Sequence, residues 1–158
     1  MCLYVGQNGS GNRIASSTAT SYFVSGFWNP SSSDDIVNDW ALIKLRTSMD
    51  PTRTSILPCA IRSMAGKTIM VSGYGSEDGK LDDYQNISEG TVKSDDGYSL
   101  ITNAEGRKGI SGSPMLDITN FDNTVVGIVS VKDRFNHVAG PKICTSMINL
   151  INSFNSRN

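Results

Sequence analysis

The chain has 158 residues, with 14 basic and 15 acidic side chains and 15 glycines. This near balance of charge provides no basic surface for nucleic acid or an anionic membrane, and the sequence has no run of 18 apolar residues that would span a bilayer. The length suits one domain, although all-β single domains commonly use about 200–250 residues.

The cysteines and the single histidine do not indicate a metal site. Cys2, Cys59 and Cys144 cannot all pair within the chain, and none stands at a metal-ligand spacing from another or from the histidine. We therefore expect neither a metal nor a cofactor. The first residues lack the charged and apolar regions of a secretory signal, so the compartment is unknown from these residues.

The first part of the sequence predicts short strands. Met1 to Val5 opens without a polar tail or a cap, which is typical of the interior of a domain. Residues 13–28 are rich in β-branched and aromatic types and predict one or two strands. A loop ends at Asp39, where the apolar strand from Trp40 to Leu45 begins. The two prolines between Thr47 and Pro58 indicate a connection.

The second part predicts further strands and one helix. Asp96-Gly97 is a hairpin signal, and Gly73 to Asp83 reads as a polar, glycine-rich turn region. Thr145-Ser146 is a candidate cap for a helix with apolar residues at helical spacing. The predicted strands run from Lys67 to Val71, Asn86 to Lys93, Tyr98 to Thr102, Ser113 to Leu116 and Thr124 to Val131.

The hexapeptide Gly109-Ile110-Ser111-Gly112-Ser113-Pro114 carries the strongest chemical signal. Glycine on both sides of a serine permits a tight turn with positive φ. Such a turn can present the Ser111 hydroxyl to a substrate while the amides of Gly109 and Ser111 point the same way, as stabilisation of an oxyanion requires. The alternative is an ordinary turn between two strands.

Asp39 is the candidate partner of this serine. A carboxylate at the junction of a polar stretch and an apolar strand can be buried and still receive a ring N–H, which is the orienting role in a Ser-His-Asp triad. Asp34 and Asp35 compete for this role, but neither is followed directly by an apolar run. The alternative is a turn aspartate that precedes a strand.

Four segments resemble the chymotrypsin-like serine proteases in the right order. Gly109 to Pro114 is similar to their nucleophile loop, in the form of the glutamyl endopeptidase (V8-like) branch. Asn38 to Leu45 is similar to the segment around the triad aspartate. Val71 to Gly75 resembles a strand end of that family, and Val125 to Ser130 resembles the strand that lines the primary specificity pocket. The resemblance covers nearly the whole chain.

The resemblance implies an all-β, chymotrypsin-like double β-barrel with an incomplete first barrel and a short C-terminal helix. Residues 1–158 would form one trypsin-like serine protease domain, truncated at its N-terminus. Its parts would be the remainder of the first barrel over 1–50, the connection over 51–66, the second barrel over 67–145 and the helix over 146–155.

The implied function is a serine endopeptidase that hydrolyses peptide bonds through an acyl-enzyme on Ser111. Asp39 would orient the base, and the backbone amides of Gly109 and Ser111 would form the oxyanion hole. In the family the triad histidine precedes a cysteine that Cys2 matches, so the histidine falls on Met1 and is missing from this chain. The alternative is a catalytically inactive, protease-like binding or regulatory module.

The resemblance also implies partners. We expect a protein or peptide substrate, no nucleic acid and no membrane. The missing N-terminal segment or a protein inhibitor is a further possible partner, and secretion is typical of the family.

The pocket candidates carry opposing charges. Ser130 ends the segment that resembles the strand lining the specificity pocket. Glu105, six residues before Ser111, would attract a basic side chain if its carboxylate faces inward. Lys132, His137 and Lys142 would attract an acidic one. All four charged residues are also compatible with a solvated surface. His137 follows the serine too late to be the triad base in the family order.

Overall fold

The computed structural model describes residues 1–5, 15–27, 29, 35–49, 58–77, 80–81, 84–119 and 124–156. Within these ranges the chain forms twelve strands, one 3-10 turn and one α-helix. In chain order they are β1 (Cys2–Val5), β2 (Ala15–Val24), the 3-10 turn (Ile36–Asn38), β3 (Ala41–Leu45), β4 (Thr68–Gly73), β5 (Ser76–Glu77), β6 (Lys80–Leu81), β7 (Asn86–Asp95), β8 (Ser99–Glu105), β9 (Pro114–Asp117), β10 (Thr124–Ile128), β11 (Val131–Lys132), β12 (His137–Pro141) and α1 (Thr145–Asn155).

The first three strands form an antiparallel sheet in the order β1-β2-β3. Cys2 lies opposite Thr18, and Val24 lies opposite Ala41. Of the range 13–28, predicted to form one or two strands, residues 15–24 form the single strand β2, because β-branched and aromatic side chains suit extended backbone. The predicted connection between Thr47 and Pro58 lies mostly outside the described residues.

Seven strands form the second, antiparallel sheet, in the order β10-β9-β4-β7-β8-β12-β11. In β4, Ile69, Val71 and Gly73 are buried while their neighbours are more exposed, as the period of two requires. The predicted Asp96-Gly97 hairpin is confirmed: the Asp96 carboxylate accepts from the amides of Tyr98 and Ser99 at 2.8 and 2.6 Å. The predicted all-β fold with a short C-terminal helix is confirmed.

The buried apolar core belongs to the second sheet. Its described members are Met64, Ile69, Val71, Val92, Leu100, Ala104, Ile110, Met115, Val126, Val129 and Val138. Both sheets expose some large apolar side chains, such as Tyr22 on the first and Ile87 on the second, but no described residue of the three-stranded sheet belongs to this core. Burial of apolar area is the main favourable term in folding, so the second sheet carries most of the stability of the described residues.

Two predictions at the C-terminal end need correction. The segment over β12 was not predicted as a strand, because Gly140 and Pro141 are poor strand formers. The structure requires glycine at position 140, since a Cβ there would overlap the carbonyl oxygen of Ile128. The predicted cap at Thr145-Ser146 is also wrong: the helix begins at Thr145, and its N-cap, Cys144, makes no side-chain capping bond.

Lys142 lies in a buried ion pair and does not line a substrate pocket, so the pocket prediction for this residue is wrong. Its Nζ is 2.7 Å from the nearer oxygen of Asp95, and the two side chains are only 4% and 3% exposed. Lys142 Nζ also donates to the carbonyl oxygen of Arg62, and the amide of Met64 donates to Asp95. Through these hydrogen bonds the ion pair connects residues 62–64 to the second sheet.

The surroundings of Asp95 lower the pKa of its carboxyl, mainly through hydrogen bonds. Burial by itself would raise the pKa of Asp95, but hydrogen bonds from Lys142 and from the amides of Met64 and Gly97, together with the Lys142 charge, outweigh burial and hold the pKa below its ordinary value of 3.8. The stability that the carboxylate contributes is therefore present above pH 3.8 and is lost as the pH falls through the lowered value.

We expect Lys142→Met to lower the free energy of unfolding at pH 7 by about 3–5 kcal/mol, because it leaves the Asp95 carboxylate buried without its cationic partner. Lys93→Met, at an exposed position of β7, is the matched control and should change stability by no more than about 0.5 kcal/mol. Urea unfolding measures both. Equal midpoints for the two variants would contradict a stabilising pair.

Candidate active site

The serine loop joins β8 to β9 and is held in one shape by its glycines and by Ile110. Gly109 and Gly112 have φ angles of 84° and 86°, a region that side chains with a Cβ rarely adopt. The amide of Ser113 donates to the carbonyl of Ile110 at 3.0 Å and closes the turn. Ile110 is buried in the core, whereas Ser111 is exposed at the tip. The loop therefore presents the hydroxyl from a rigid base.

The amides of this loop divide into two groups. Gly112 donates to the carbonyl of Val129 at 2.7 Å, and Val129 donates to that of Ser113 at 2.8 Å, so the loop is tied to the segment after β10. In the described part of the chain, the amides of Gly109 and Ser111 donate to no acceptor. Both donors remain able to bind an oxyanion.

Ser130 links the two predicted catalytic residues. The hydroxyl of Ser111 donates to the carbonyl oxygen of Ser130 at 3.0 Å, and the hydroxyl of Ser130 donates to Asp39 Oδ2 at 2.7 Å. Sequence reasoning assigned Ser130 to the substrate pocket and missed this bridge. The only feature of the sequence that pointed to Ser130 was its position at the end of the segment that resembles the lining of the specificity pocket.

Asp39 stands between the 3-10 turn and β3. The turn is closed by Asp35, whose carboxylate accepts from the Asn38 amide group at 2.6 Å and from the Asn29 backbone at 3.1 Å. Asp35 is therefore engaged in shaping the loop, while Asp39 reaches Ser130. The expectation of a buried Asp39 carboxylate is wrong: the residue is exposed. Asp34 lies outside the described residues.

Ser111 and Asp39 line one cavity of about 590 Å³ between the two sheets. Its remaining walls are mainly apolar and come from β3, β2 and the end of β10. They are formed by Val24, Trp40, Ala41, Ile43, Gly112, Ile128 and Val129. The structure thus brings the predicted nucleophile and the predicted orienting carboxylate to the same space.

Glu105 faces a different space. Along β8 the buried residues Thr102 and Ala104 alternate with the exposed residues Asn103 and Glu105, so Glu105 lies on the outer face. It contributes to a cavity of about 270 Å³ that Ser111 does not line. The structure does not bring Glu105 and Ser111 together.

Lys132 and His137 belong to the β11–β12 hairpin. Lys132 Nζ donates to Asn136 Oδ1 at 2.7 Å, and His137 Nδ1 is 3.3 Å from Asp133 Oδ2. Desolvation would raise the pKa of Asp133, but the amides of His137 and Phe135 and the imidazole of His137 outweigh it and lower that pKa. His137 is therefore engaged within its own hairpin and does not line the Ser111 cavity.

Two further properties concern ligands and membranes. Among the described residues, no group of three or more His, Cys, Asp or Glu side chains is arranged to hold a metal ion. Within the same ranges, no helix has the length and apolar character needed to cross a bilayer. Cys2, Cys59 and Cys144 are free thiols.

The chain resembles solved proteases over almost its whole length. A Glu endopeptidase in complex with MPD is 26% identical, with a TM-score of 0.81 over 99% of this chain and 72% of that chain. The thermostable serine protease AL20 from an extremophilic microorganism is 17% identical, with a TM-score of 0.74 over 99% of this chain and 76% of that one.

A mammalian protease has the same fold. Mouse neuropsin, a serine protease, is 17% identical, with a TM-score of 0.70 over 89% of this chain and 72% of that one. A sequence comparison with curated proteins gives no significant match.

The family profile described as Trypsin matches residues 5–153. Together with the serine loop, the Asp39 segment and the likeness to the Glu endopeptidase, this match shows that the chain belongs to the trypsin family of chymotrypsin-like serine proteases.

Proposed function

We propose that this chain carries the nucleophilic half of a serine endopeptidase that cleaves peptide bonds through an acyl-enzyme on Ser111. The single observation that supports this most directly is the cavity shared by Ser111 and Asp39. The exposed hydroxyl, the unused amides of Gly109 and Ser111, and the carboxylate bridged through Ser130 are three of the groups that acyl transfer needs, and the fourth is a base.

Each group has one task. Ser111 Oγ attacks the carbonyl carbon of the scissile bond, and the amides of Gly109 and Ser111 stabilise the negative oxygen that forms. Asp39 receives an N–H of the base and orients it, while Ser130 fixes one carboxylate oxygen at 2.7 Å. We propose that the base is absent from these 158 residues, because the sequence has one histidine, His137, which lies elsewhere.

The proposed absence of a general base also favours a second candidate function. A protease fold without a general base suits a binding or regulatory module, because substrate would still enter the cavity and contact the oxyanion donors. The two functions differ in whether Ser111 reacts, and that difference can be measured directly.

Prolonged incubation with a fluorophosphonate probe should modify Ser111, since the glycine-flanked loop exposes its hydroxyl beside two amide donors. Peptide mass mapping identifies the modified residue, and Ser111→Ala should abolish the signal. Ser113→Ala is the matched control and should retain it. Modification at Ser113 or Ser130 in place of Ser111 would refute the nucleophile assignment.

The chain by itself should cleave peptide amides only at the background rate. In a Ser-His-Asp triad, the loss of the serine or the histidine lowers turnover by on the order of 10⁶, or roughly 8 kcal/mol of barrier. Release of a chromogenic amine measures the rate. Rapid cleavage that Ser111→Ala abolishes would show that a base within these 158 residues serves Ser111. His137 carries the only imidazole in the sequence and would then be the first candidate.

Cationic side chains near the serine loop favour cleavage after acidic residues. A cavity of about 270 Å³ beside the loop, which Ser111 does not line, contains three cations and no acidic side chain. Glu105 lines the neighbouring cavity, which shares Gly106, Arg107 and Asn136 with it. An acidic substrate side chain would be attracted to such a cavity. Its lining residues are Ser76, Gly106, Arg107, Lys108, Lys132 and Asn136.

Short product peptides that end in Glu should bind at least about tenfold tighter than those that end in Lys, a difference of about 1.4 kcal/mol. Lys132→Met should reduce this preference, because it removes a cation from the cavity, while Lys93→Met on β7 should not. Calorimetry or peptide NMR measures the affinities. Tighter binding of the Lys-terminated peptide would show that Glu105 determines specificity.

A further inference from the structure

Ser76 holds one carbonyl group of the serine loop with two donors. Its backbone amide donates to the carbonyl oxygen of Lys108 at 2.6 Å, and its hydroxyl donates to the same oxygen at 3.2 Å. The two residues are 32 positions apart in the sequence, and Ser76 is the first residue of β5. Through this oxygen atom the start of β5 is tied to the loop that carries Ser111.

The residues just before β5 support Ser76 in this place. Gly73 ends β4, in the well-packed sheet, and a Cβ at this position would overlap Ser113 Oγ. The carbonyl carbon of Gly75 lies 3.5 Å from where a Cβ of Gly109 would stand. The segment over 73–76 therefore runs along the serine loop in close contact, and the backbone of Ser76 is fixed from β4.

The tied carbonyl belongs to the same peptide unit as one of the proposed oxyanion donors. A peptide unit is planar and trans, so its C=O and N–H bonds point in opposite directions. Because the Lys108 carbonyl points to Ser76, the Gly109 N–H points away from it. In the described part of the chain this N–H donates to no acceptor, which leaves it available to an oxyanion. The direction of the carbonyl thus sets the direction of the donor.

This peptide unit is the middle one of a four-residue turn that starts at Arg107. The amide of Ile110 donates to the carbonyl of Arg107 at 3.4 Å and closes the turn. Gly109, the third residue, has a φ of 84°, close to the value of about 80° in a type II turn, whereas a type I turn has about −90° there. The two turn types differ by a rotation of the middle peptide unit through about 180°, which exchanges the directions of its C=O and N–H.

Glycine by itself does not decide between the two turn types. It adopts positive and negative φ with similar ease, so Gly109 permits both. In a type I turn the developing negative oxygen would meet the Lys108 carbonyl in place of the Gly109 N–H, an acceptor in place of a donor. Both hydrogen bonds from Ser76 require the carbonyl direction of the type II turn, and each adds a net stabilisation to it.

We propose that Ser76 is a positioning residue of the oxyanion hole. Its amide and hydroxyl hold the Lys108–Gly109 peptide unit in the type II orientation and so direct the Gly109 N–H to the oxygen that becomes negative. This inference rests on the proposed function. Ser76 acts through Gly109 and contacts no reacting atom.

The first test compares Ser76→Asp with Ser76→Asn in the whole chain. An ionised carboxylate only accepts hydrogen bonds, so it repels the Lys108 carbonyl and accepts the N–H of the rotated peptide unit. The Asn side chain has nearly the same shape and can still donate to the carbonyl. We therefore expect a type I turn in Ser76→Asp and a type II turn in both Ser76→Asn and the wild type.

NMR distinguishes the two turns through the distance from Lys108 Hα to the Gly109 amide proton, which is short only in the type II turn. Ser94→Asp, at an exposed position of β7, adds the same charge and is the matched control, which should keep the type II turn. A type II turn in folded Ser76→Asp would overturn the proposal.

Reactivity measures the consequence for the oxyanion hole. In the fluorophosphonate reaction Ser111 Oγ forms a bond to phosphorus, the P–F bond breaks, fluoride leaves, and the hydroxyl proton passes to water. The amide protons of Gly109 and Ser111 should both move downfield in the wild-type adduct, whereas only that of Ser111 should do so in Ser76→Asp.

The rate should change in the same sense. Loss of one oxyanion donor lowers turnover by on the order of 10²-fold, so modification of Ser76→Asp should be at least about tenfold slower than that of Ser76→Asn. Equal rates together with equal Gly109 shifts would refute the positioning role.

A second pair of variants keeps the proposal testable if Ser76→Asp does not fold. A Cβ at position 109 would lie 3.4 Å from both Ser76 N and Oγ, an ordinary contact distance, so Gly109→Ala mainly disfavours positive φ and brings the two turn types closer in population. Adding Ser76→Ala should then shift their ratio toward type I by about two- to tenfold, the factor expected for one hydrogen bond. An unchanged ratio contradicts the role of the hydroxyl.

These measurements separate this inference from the proposed function. The turn type is observed in the unreacted protein and does not require a reactive Ser111. Reaction at Ser111 with the same turn in every variant keeps the nucleophile and refutes the role of Ser76. Rotation of the turn in Ser76→Asp without any reaction of wild-type Ser111 supports the tie between Ser76 and the loop and refutes the catalytic role.

Discussion

The candidate active site depends on two hydrogen bonds made by one residue. Ser130 accepts from Ser111 through its carbonyl and donates to Asp39 through its hydroxyl. Ser111 belongs to a loop of the second sheet, and Asp39 precedes the last strand of the first. Since no covalent link other than the chain joins these elements in the described residues, the relative position of nucleophile and carboxylate follows from Ser130 and from the packing around it.

The support on the Ser111 side is much firmer than that on the Asp39 side. The serine loop is anchored by buried Ile110 and by two backbone bonds to the segment after β10, and the second sheet is further held by the Lys142–Asp95 pair. On the other side, Asp39 is exposed, and the strands next to it leave Tyr22 mostly and Ile43 partly in water. The Ser111 hydroxyl and the amides of Gly109 and Ser111 are thus held in place, as the proposed acyl transfer requires, whereas the Asp39 carboxylate is less constrained.

Sequence reasoning identified the family and the shape of the serine loop better than it identified which side chains are buried. The tight turn at Gly109 and Gly112 could be recognised from the sequence, because glycine adopts positive φ more readily than other residues and two glycines flank one serine. Lys142 was misplaced because its burial depends on Asp95, which is 47 residues away in the sequence. The β12 strand was missed because close packing against Ile128 selects Gly140 against strand propensity. Tertiary contacts between distant segments explain both errors.

The uneven burial of the two sheets also determines how the molecule fluctuates. Segments with few buried apolar contacts open locally at low free-energy cost, whereas a well-packed core opens only with global unfolding. We therefore expect the backbone amides of β2 and β3 to exchange with deuterium sooner than those of β4 and β8. Asp39 precedes the less buried sheet and Ser111 lies on the well-packed one, so we expect the lifetime of the Ser130–Asp39 hydrogen bond to limit how long the two side chains stay together.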